Sequence, residues 1–405
     1  MADKMELHDV EVWDGNMAFA QALRQVQVDV VAAYPITPST PTVQNYSSFV
    51  ADGYVDGEFV MVESEHAAMS GCVGASAAGG RVATATSSQG LALMVEVLYQ
   101  ASGMRLPIVL GLVNRALAAP LNVNGDHSDM YLTRDSGWIS LCSYNPQEAY
   151  DLMLMGFKIG ENHGVRLPVI VNQDGFICSH TAQNVKPLSD DDAYAFVGEF
   201  QPKNDMLNLK KPVSYGVQTE EDWHFEHKAQ QHNDLMKSSA VIKEVFAEFK
   251  EKTGREYNLV ESYMMDDADV AIVALGTTVE SAQISAKEMR AKGIKAGVVA
   301  IRVLRPFPFD EVAEALKDVK AVACMDRSAP GGTVGMLYNE VCGALFHTDN
   351  KPVVLNYIYG LGGRDLLVSH IEEVYTDLDA SAKAGKATVP VQQFLGLRGP
   401  KLSFF

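Results

Sequence analysis

Val28-Asp29-Val30-Val31-Ala32-Ala33-Tyr34-Pro35-Ile36-Thr37-Pro38-Ser39-Thr40 is the stretch that decides the fold. Residues 28–33 are β-branched or small and stop at a proline. A run of this kind reads as a strand buried on both faces. The signature recurs at 59–62, 81–86, 107–114 and 168–173, with helical stretches at 65–78 and 90–103 between the earlier runs. Strand–helix alternation specifies an α/β chain with a parallel sheet covered by helices on both sides.

Near residue 190 the pattern changes. Residues 188–215 are rich in Asp, Pro, Lys and Asn without periodicity and read as a connecting segment, and 220–252 as a long charged amphipathic helix. A second α/β unit opens with a strand at 269–275 that ends in Gly276-Thr277-Thr278. It continues with a helix at 279–292 capped by Gly293, a strand at 296–301, a helix at 309–317 and a strand at 321–325. The expected division is 1–255 and 256–405.

Composition narrows the function. A chain of 405 residues suggests two or three domains, at roughly 150 residues each. With 51 acidic against 33 basic residues the net charge is −18, which repels a polyphosphate backbone and argues against nucleic acid as a partner. The five cysteines are scattered with no C-x-x-C, so zinc ribbons and iron–sulfur loops are not expected, and buried thiols of a reducing compartment are. The polar, acidic start is unlike a signal peptide, and the apolar runs are too short to cross a membrane. The expectation is a soluble cytoplasmic protein.

Several motifs follow strands, where ligands bind in open α/β sheets. In Tyr34–Thr40 two prolines stiffen the frame around Thr37; the plain alternative is a turn with Ser39 or Thr40 as helix N-cap. In Glu63-Ser64-Glu65-His66 a carboxylate opens a helix of small residues, where it can receive a nitrogen donor or merely neutralise the helix dipole. His66 reads as a packing residue. Arg115 closes a long apolar strand and suits a bidentate grip on a carboxylate, or else an ion pair with Asp126 or Asp129. Gly125-Asp126-His127-Ser128-Asp129 lacks further spaced ligands and reads as a hydrogen-bonded loop, with no metal expected. Gly276-Thr277-Thr278 can cup an anion at a helix N-terminus or serve as a plain turn, and the second unit is given no catalytic role.

Taken in order, Tyr34-Pro35-Ile36-Thr37-Pro38-Ser39, Glu63-Ser64-Glu65-His66-Ala67, Ser87-Ser88-Gln89-Gly90, Asn114-Arg115-Ala116 and Gly125–Asp129 resemble the α subunits of 2-oxoacid:ferredoxin oxidoreductases. Within that family the pyruvate-oxidising members are most similar, over nearly the whole chain. The resemblance implies a thiamine-diphosphate pyrimidine-binding domain followed by a transketolase C-terminal-like α/β domain. It implies that Glu65 hydrogen-bonds N1′ of the aminopyrimidine, with Pro35 and Ile36 beside the cofactor. Thr37 and Arg115 would bind the substrate, Arg115 through its carboxylate. The implied reaction takes pyruvate, coenzyme A and oxidised ferredoxin to acetyl-CoA, carbon dioxide and reduced ferredoxin, in either direction.

The chain has no Gly-Asp-Gly for a Mg²⁺-diphosphate site and no cluster-binding cysteines. The resemblance therefore implies partners: a β subunit bringing Mg²⁺-diphosphate and a 4Fe–4S cluster, γ- and δ-type subunits or domains, and ferredoxin. The alternatives are the same chemistry on 2-oxoglutarate, a branched-chain 2-oxo acid or oxalate, or a scaffold subunit without chemistry. Neutral Thr37 and a single cation, Arg115, favour a small monocarboxylate.

Overall fold

The structure is a computed structural model that describes residues 2–398. It contains the expected parallel sheets. The first has seven strands in the order Val303–Arg305, Ile139–Cys142, Val169–Asp174, Val109–Asn114, Val82–Thr86, Val30–Ala33 and Glu58–Met61. Every pairing is parallel except the first. The three central strands, Val82–Thr86, Val109–Asn114 and Val169–Asp174, are buried at every residue because helices cover both faces, and the polar residues of the last two lie at their carboxyl ends.

The chain runs outward from Val30–Ala33 to Glu58–Met61, then returns to the other side of Val30–Ala33 as Val82–Thr86. That reversal is a topological switch point. The loops leaving the two neighbouring strands diverge to opposite faces and open a crevice at their carboxyl ends. The loop from Tyr34 and the turn at Ser87 flank it.

A second sheet of six strands, in the order Gln392–Phe394, Val353–Ile358, Ala321–Asp326, Val270–Ala274, Ala296–Ile301 and Val260–Tyr263, forms the rest. The turn between the helix Glu221–Thr253 and Val260–Tyr263 contains residue 255. Residues 399–405 of the unit read from sequence lie outside the described residues. The strand Val303–Arg305 comes from this later part of the chain and pairs antiparallel with Ile139–Cys142 in the first sheet. Beside it Arg302 is buried, donating to Glu148 Oε1 at 2.6 Å and to the Tyr144 hydroxyl at 2.9 Å, and pairing with Glu261. Burial pushes the Glu148 carboxyl up to about 7, with Arg302 opposing it. A buried cation shared between Glu148 of the first unit and Glu261 of the second ties the two sheets together, although its Nε has no partner among the described residues.

Three expectations need correction. The connecting segment contains a helix, Asp190–Val197: Ser189 caps it, three aspartates fill its first turn, and Asp190 reaches back to Arg24 at 2.6 Å. The helix Gly15–Gln25, capped by Asp14, and the helix Pro146–Glu161, capped by Asn145, had no place in the sequence reading. Ser39 precedes the helix Thr40–Ala51, yet its hydroxyl donates to the Ile36 carbonyl rather than capping. No described helix is long and apolar enough to cross a membrane. Of the five free cysteines four are buried and Cys342 is half-buried.

Candidate active site at the carboxyl edge of the first sheet

Glu65 is the first residue of the helix Glu65–Ala78, whose N-cap Ser64 accepts from the Ala67 N–H at 3.1 Å. With the cap already supplied, dipole neutralisation does not explain why the Glu65 carboxylate is only 7% exposed. It lies against Gly90 in the helix Ser88–Gly103. A Cβ at position 90 would sit 2.6 Å from Glu65 Oε1 and 2.5 Å from Thr86 Oγ1, so only glycine leaves room for both oxygens. No hydrogen bond to the Glu65 carboxylate is found among the described residues, and the neighbouring Thr86 hydroxyl is fully buried and unpartnered. A fully buried polar group without a partner, as the Thr86 hydroxyl is, costs on the order of 1–3 kcal/mol. A donor from outside the chain answers that need.

Arg115 follows the strand Val109–Asn114 directly and is 6% exposed. Its Nη1 donates to the Thr37 carbonyl at 2.9 Å and its Nε to the Asn122 carbonyl at 3.0 Å. Nη2 has no partner among the described residues. The alternative, an ion pair with Asp126 or Asp129, does not form; Asp129 takes the Arg115 backbone N–H instead, at 2.9 Å. Burial lowers the Arg115 pKa, with the Asp129 charge opposing it. The guanidinium thus keeps a free donor and an unpaired charge. Thr37 is exposed beside it, Pro35 is exposed and Ile36 half-buried, all in the loop after Val30–Ala33. Thr37 and Arg115 therefore meet, and Glu65 stands on the same edge of the sheet. His66 does not pack: its imidazole is 45% exposed, 3.9 Å from Glu96.

Gly125–Asp129 is the hydrogen-bonded loop expected, and the second half of the chain holds it. Asp126 accepts from the Ser128 and Gly362 N–H groups, at 2.9 and 3.0 Å. Gly362, at φ +60°, comes so close that a Cβ would lie 2.4 Å from Asn122 Nδ2. Asn122 in turn holds Arg115, so the glycine loop of the second unit buttresses the arginine.

The sequence reading missed a four-residue cluster here. His127 Nε2 lies 2.5 Å from Asp174 Oδ1, and the Thr277 N–H and hydroxyl both donate to Asp174 Oδ2. Arg327 Nη1 stands 3.3 Å away. Burial works to raise the Asp174 pKa, but His127, Arg327 and Thr277 outweigh it and hold the carboxyl well below the usual range. Gly276-Thr277-Thr278 does cup an anion at the start of the helix Thr278–Ala291, and the anion is the chain's own Asp174. Among the described residues no group of three or more His, Cys, Asp or Glu is placed to hold a metal.

Residues 21–247 match the pyruvate flavodoxin/ferredoxin oxidoreductase thiamine-diphosphate-binding domain, and residues 268–371 match core domain II of pyruvate:ferredoxin oxidoreductase. Fold, edge site and both matches together define a thiamine-diphosphate-binding α/β oxidoreductase chain. It belongs to the pyruvate flavodoxin/ferredoxin oxidoreductase family. The pyruvate synthase subunit PorA of Thermotoga maritima is 45% identical over 384 residues, covering 95% of this chain and 97% of that one. The Pyrococcus furiosus PorA is 39% identical, covering 96% of this chain and 98% of that one. The ketoisovalerate oxidoreductase subunit VorA of Pyrococcus abyssi is 39% identical, covering 95% and 97%. A solved 2-oxoglutarate:ferredoxin oxidoreductase from Magnetococcus marinus superposes with a TM-score of 0.69 at 21% identity. It covers 93% of this chain, which spans 66% of that one, and the likeness is one of fold.

Proposed function

We propose that this chain is the α subunit of a thiamine-dependent complex that converts pyruvate, coenzyme A and oxidised ferredoxin to acetyl-CoA, carbon dioxide and reduced ferredoxin. The observation that carries the proposal is the Glu65 carboxylate, buried without a donor on the same sheet edge as the unpaired Arg115 guanidinium. One needs a nitrogen donor and the other a carboxylate, and an aminopyrimidine and a 2-oxo acid supply them.

The residues fit thiamine diphosphate in part. Glu65 would accept from the pyrimidine ring, with the Tyr34–Pro38 loop, including Pro35 and Ile36, as the neighbouring wall. Among the described residues no group of three or more His, Cys, Asp or Glu is placed to hold a metal ion, and we assign Mg²⁺ and the diphosphate to a β subunit that also carries a 4Fe–4S cluster. When bound, the cofactor supplies the electron sink for decarboxylation. Glu65 holds the ring's tautomer through its hydrogen bond. Arg115 Nη2 grips the substrate carboxylate, while Nη1 and Nε are spent on Thr37 and Asn122 and fix the guanidinium plane. The Thr37 hydroxyl faces the substrate's oxo group.

Pyruvate is favoured over larger 2-oxo acids because the residue beside the Arg115 cation is the neutral Thr37, and a dicarboxylate needs a second charge partner. The PorA relatives support the same choice. γ- and δ-type subunits and ferredoxin complete the electron path, and the complex is assigned to the cytoplasm. The division 1–255 and 256–405 separates the cofactor-facing unit from the one that buttresses it.

Reconstitution tests this. The purified chain alone, given thiamine diphosphate, Mg²⁺, pyruvate and coenzyme A, is expected to reduce no viologen dye, and activity should appear on adding the β subunit. Turnover by the chain alone would overturn the shared-site reading.

A further inference from the structure

Asp129 is fully buried, makes no ion pair, and has no part in the chemistry described so far. Four N–H donors converge on it. Oδ2 accepts from the Ser88 and Arg115 backbone N–H groups, both at 2.9 Å. Oδ1 accepts from Asn114 Nδ2 at 3.0 Å and from the Met130 N–H at 2.7 Å. One carboxylate thus ties the turn after the strand Val82–Thr86 to the end of the strand Val109–Asn114.

Both tied points lead to the site. Ser88 opens the helix in which Gly90, two residues on, is the surface against which Glu65 rests. Ser88 is held at φ +48°, a conformation uncommon for a residue with a side chain. Strained backbone of this kind persists only where its surroundings over-determine it, and it concentrates at functional sites. The restraints here are the bond to Asp129 and a second from the Ser88 hydroxyl to the Ala116 carbonyl, next to Arg115. The other tied point is Arg115 itself.

We propose that Asp129 is a positioning residue that sets Glu65, through Ser88 and Gly90, and Arg115 in one register. The inference rests on the roles given above to Glu65 and Arg115. Burial pushes the Asp129 carboxyl up to about 7, against the pull of the Ser88, Arg115 and Asn114 donors; in its ionised form it offers only acceptors and suits four donors. An amide at the same place turns one oxygen into an NH₂ group, which faces two N–H donors whichever way it is turned.

The test is Asp129→Asn in the complex assembled with its partner subunits. Two quantities are read: KM for pyruvate, and the dissociation constant of thiamine diphosphate from the apo complex by calorimetry. Both are expected to rise roughly tenfold, the scale of losing a hydrogen bond to a charged group. Arg115→Ala is expected to move only KM and Glu65→Ala only the cofactor constant. In the double variant Asp129→Asn, Arg115→Ala, KM should stay within about twofold of Arg115→Ala alone, because the two act through one contact. Asn114→Ala, which removes one donor and keeps the carboxylate, should give both shifts at about threefold, and it carries the test if Asp129→Asn does not assemble. Wild-type values for both quantities in Asp129→Asn, or in Asn114→Ala where only that variant assembles, would overturn the inference. Full additivity with Arg115→Ala would do the same. If the Glu65 and Arg115 single variants themselves move neither quantity, the site reading fails and the inference with it.

Discussion

Glu65→Ala in the assembled complex is expected to lose pyruvate-driven dye reduction by roughly 10²–10⁴-fold, the range typical for removing a group that directs proton transfer. The loss should not come from misfolding. Glu65 makes no hydrogen bond with the rest of the described chain, so its removal takes none from the free subunit. The variant should therefore melt close to the wild-type temperature and assemble normally. Stability held or gained while activity falls is the mark of a residue kept for chemistry. Glu65→Gln separates charge from shape. Its side chain fits beside Gly90, but its amide can accept only through one oxygen and carries no charge, so its activity should also fall by at least tenfold. Unchanged turnover in Glu65→Ala, with the complex intact, would remove Glu65 from the mechanism.

Arg115→Ala has the second largest expected effect, and on a different parameter. A hydrogen bond between charged groups contributes about 1.5–3 kcal/mol, so removing it should raise KM for pyruvate by roughly 10–150-fold. The substrate carboxylate is gripped before and during the reaction alike, so kcat at saturating pyruvate should change far less than KM. Arg115→Lys is not a conservative repair. A single ammonium cannot reach the Thr37 and Asn122 carbonyls and a substrate together, so KM should stay well above wild type. Steady-state kinetics over a wide pyruvate range decides the matter, and an unaltered KM in Arg115→Ala would take that residue out of the pocket.

The parts of this structure legible in the sequence are those encoded within a few residues. The continuous apolar strands announce a sheet covered on both faces, and the run of small residues from Glu65 gives the helix Glu65–Ala78 residue for residue. The loops at the ends of those strands could be picked out because strand ends are where such sheets bind ligands. Contacts between distant residues were not legible. Asp174 and Thr277 are 103 positions apart, and nothing local marks one as the anion for the other. The strand Val303–Arg305 has three residues, and its place in the first sheet goes with the burial of Arg302 beside it against Glu148 and Glu261, far away in sequence. Asp129 was visible as a possible partner of Arg115, but whether it would take the guanidinium or the backbone N–H depends on how two strand ends meet. The helix Asp190–Val197 is readable in principle: Ser189 followed by three aspartates is a helix-start signal, and the polar composition of the surrounding segment masks it.

The most direct test of the central claim is substrate-dependent reduction of ferredoxin or a viologen dye by the complex purified with its native partners. Pyruvate, 2-oxoglutarate and 2-oxoisovalerate are each supplied with and without coenzyme A. The account predicts sustained reduction with pyruvate and coenzyme A together, and little with the other two acids. Activity confined to another 2-oxo acid would contradict the choice of pyruvate. No reduction with any of them, in a complex shown to hold thiamine diphosphate and iron, would contradict the catalytic reading and leave the chain a scaffold.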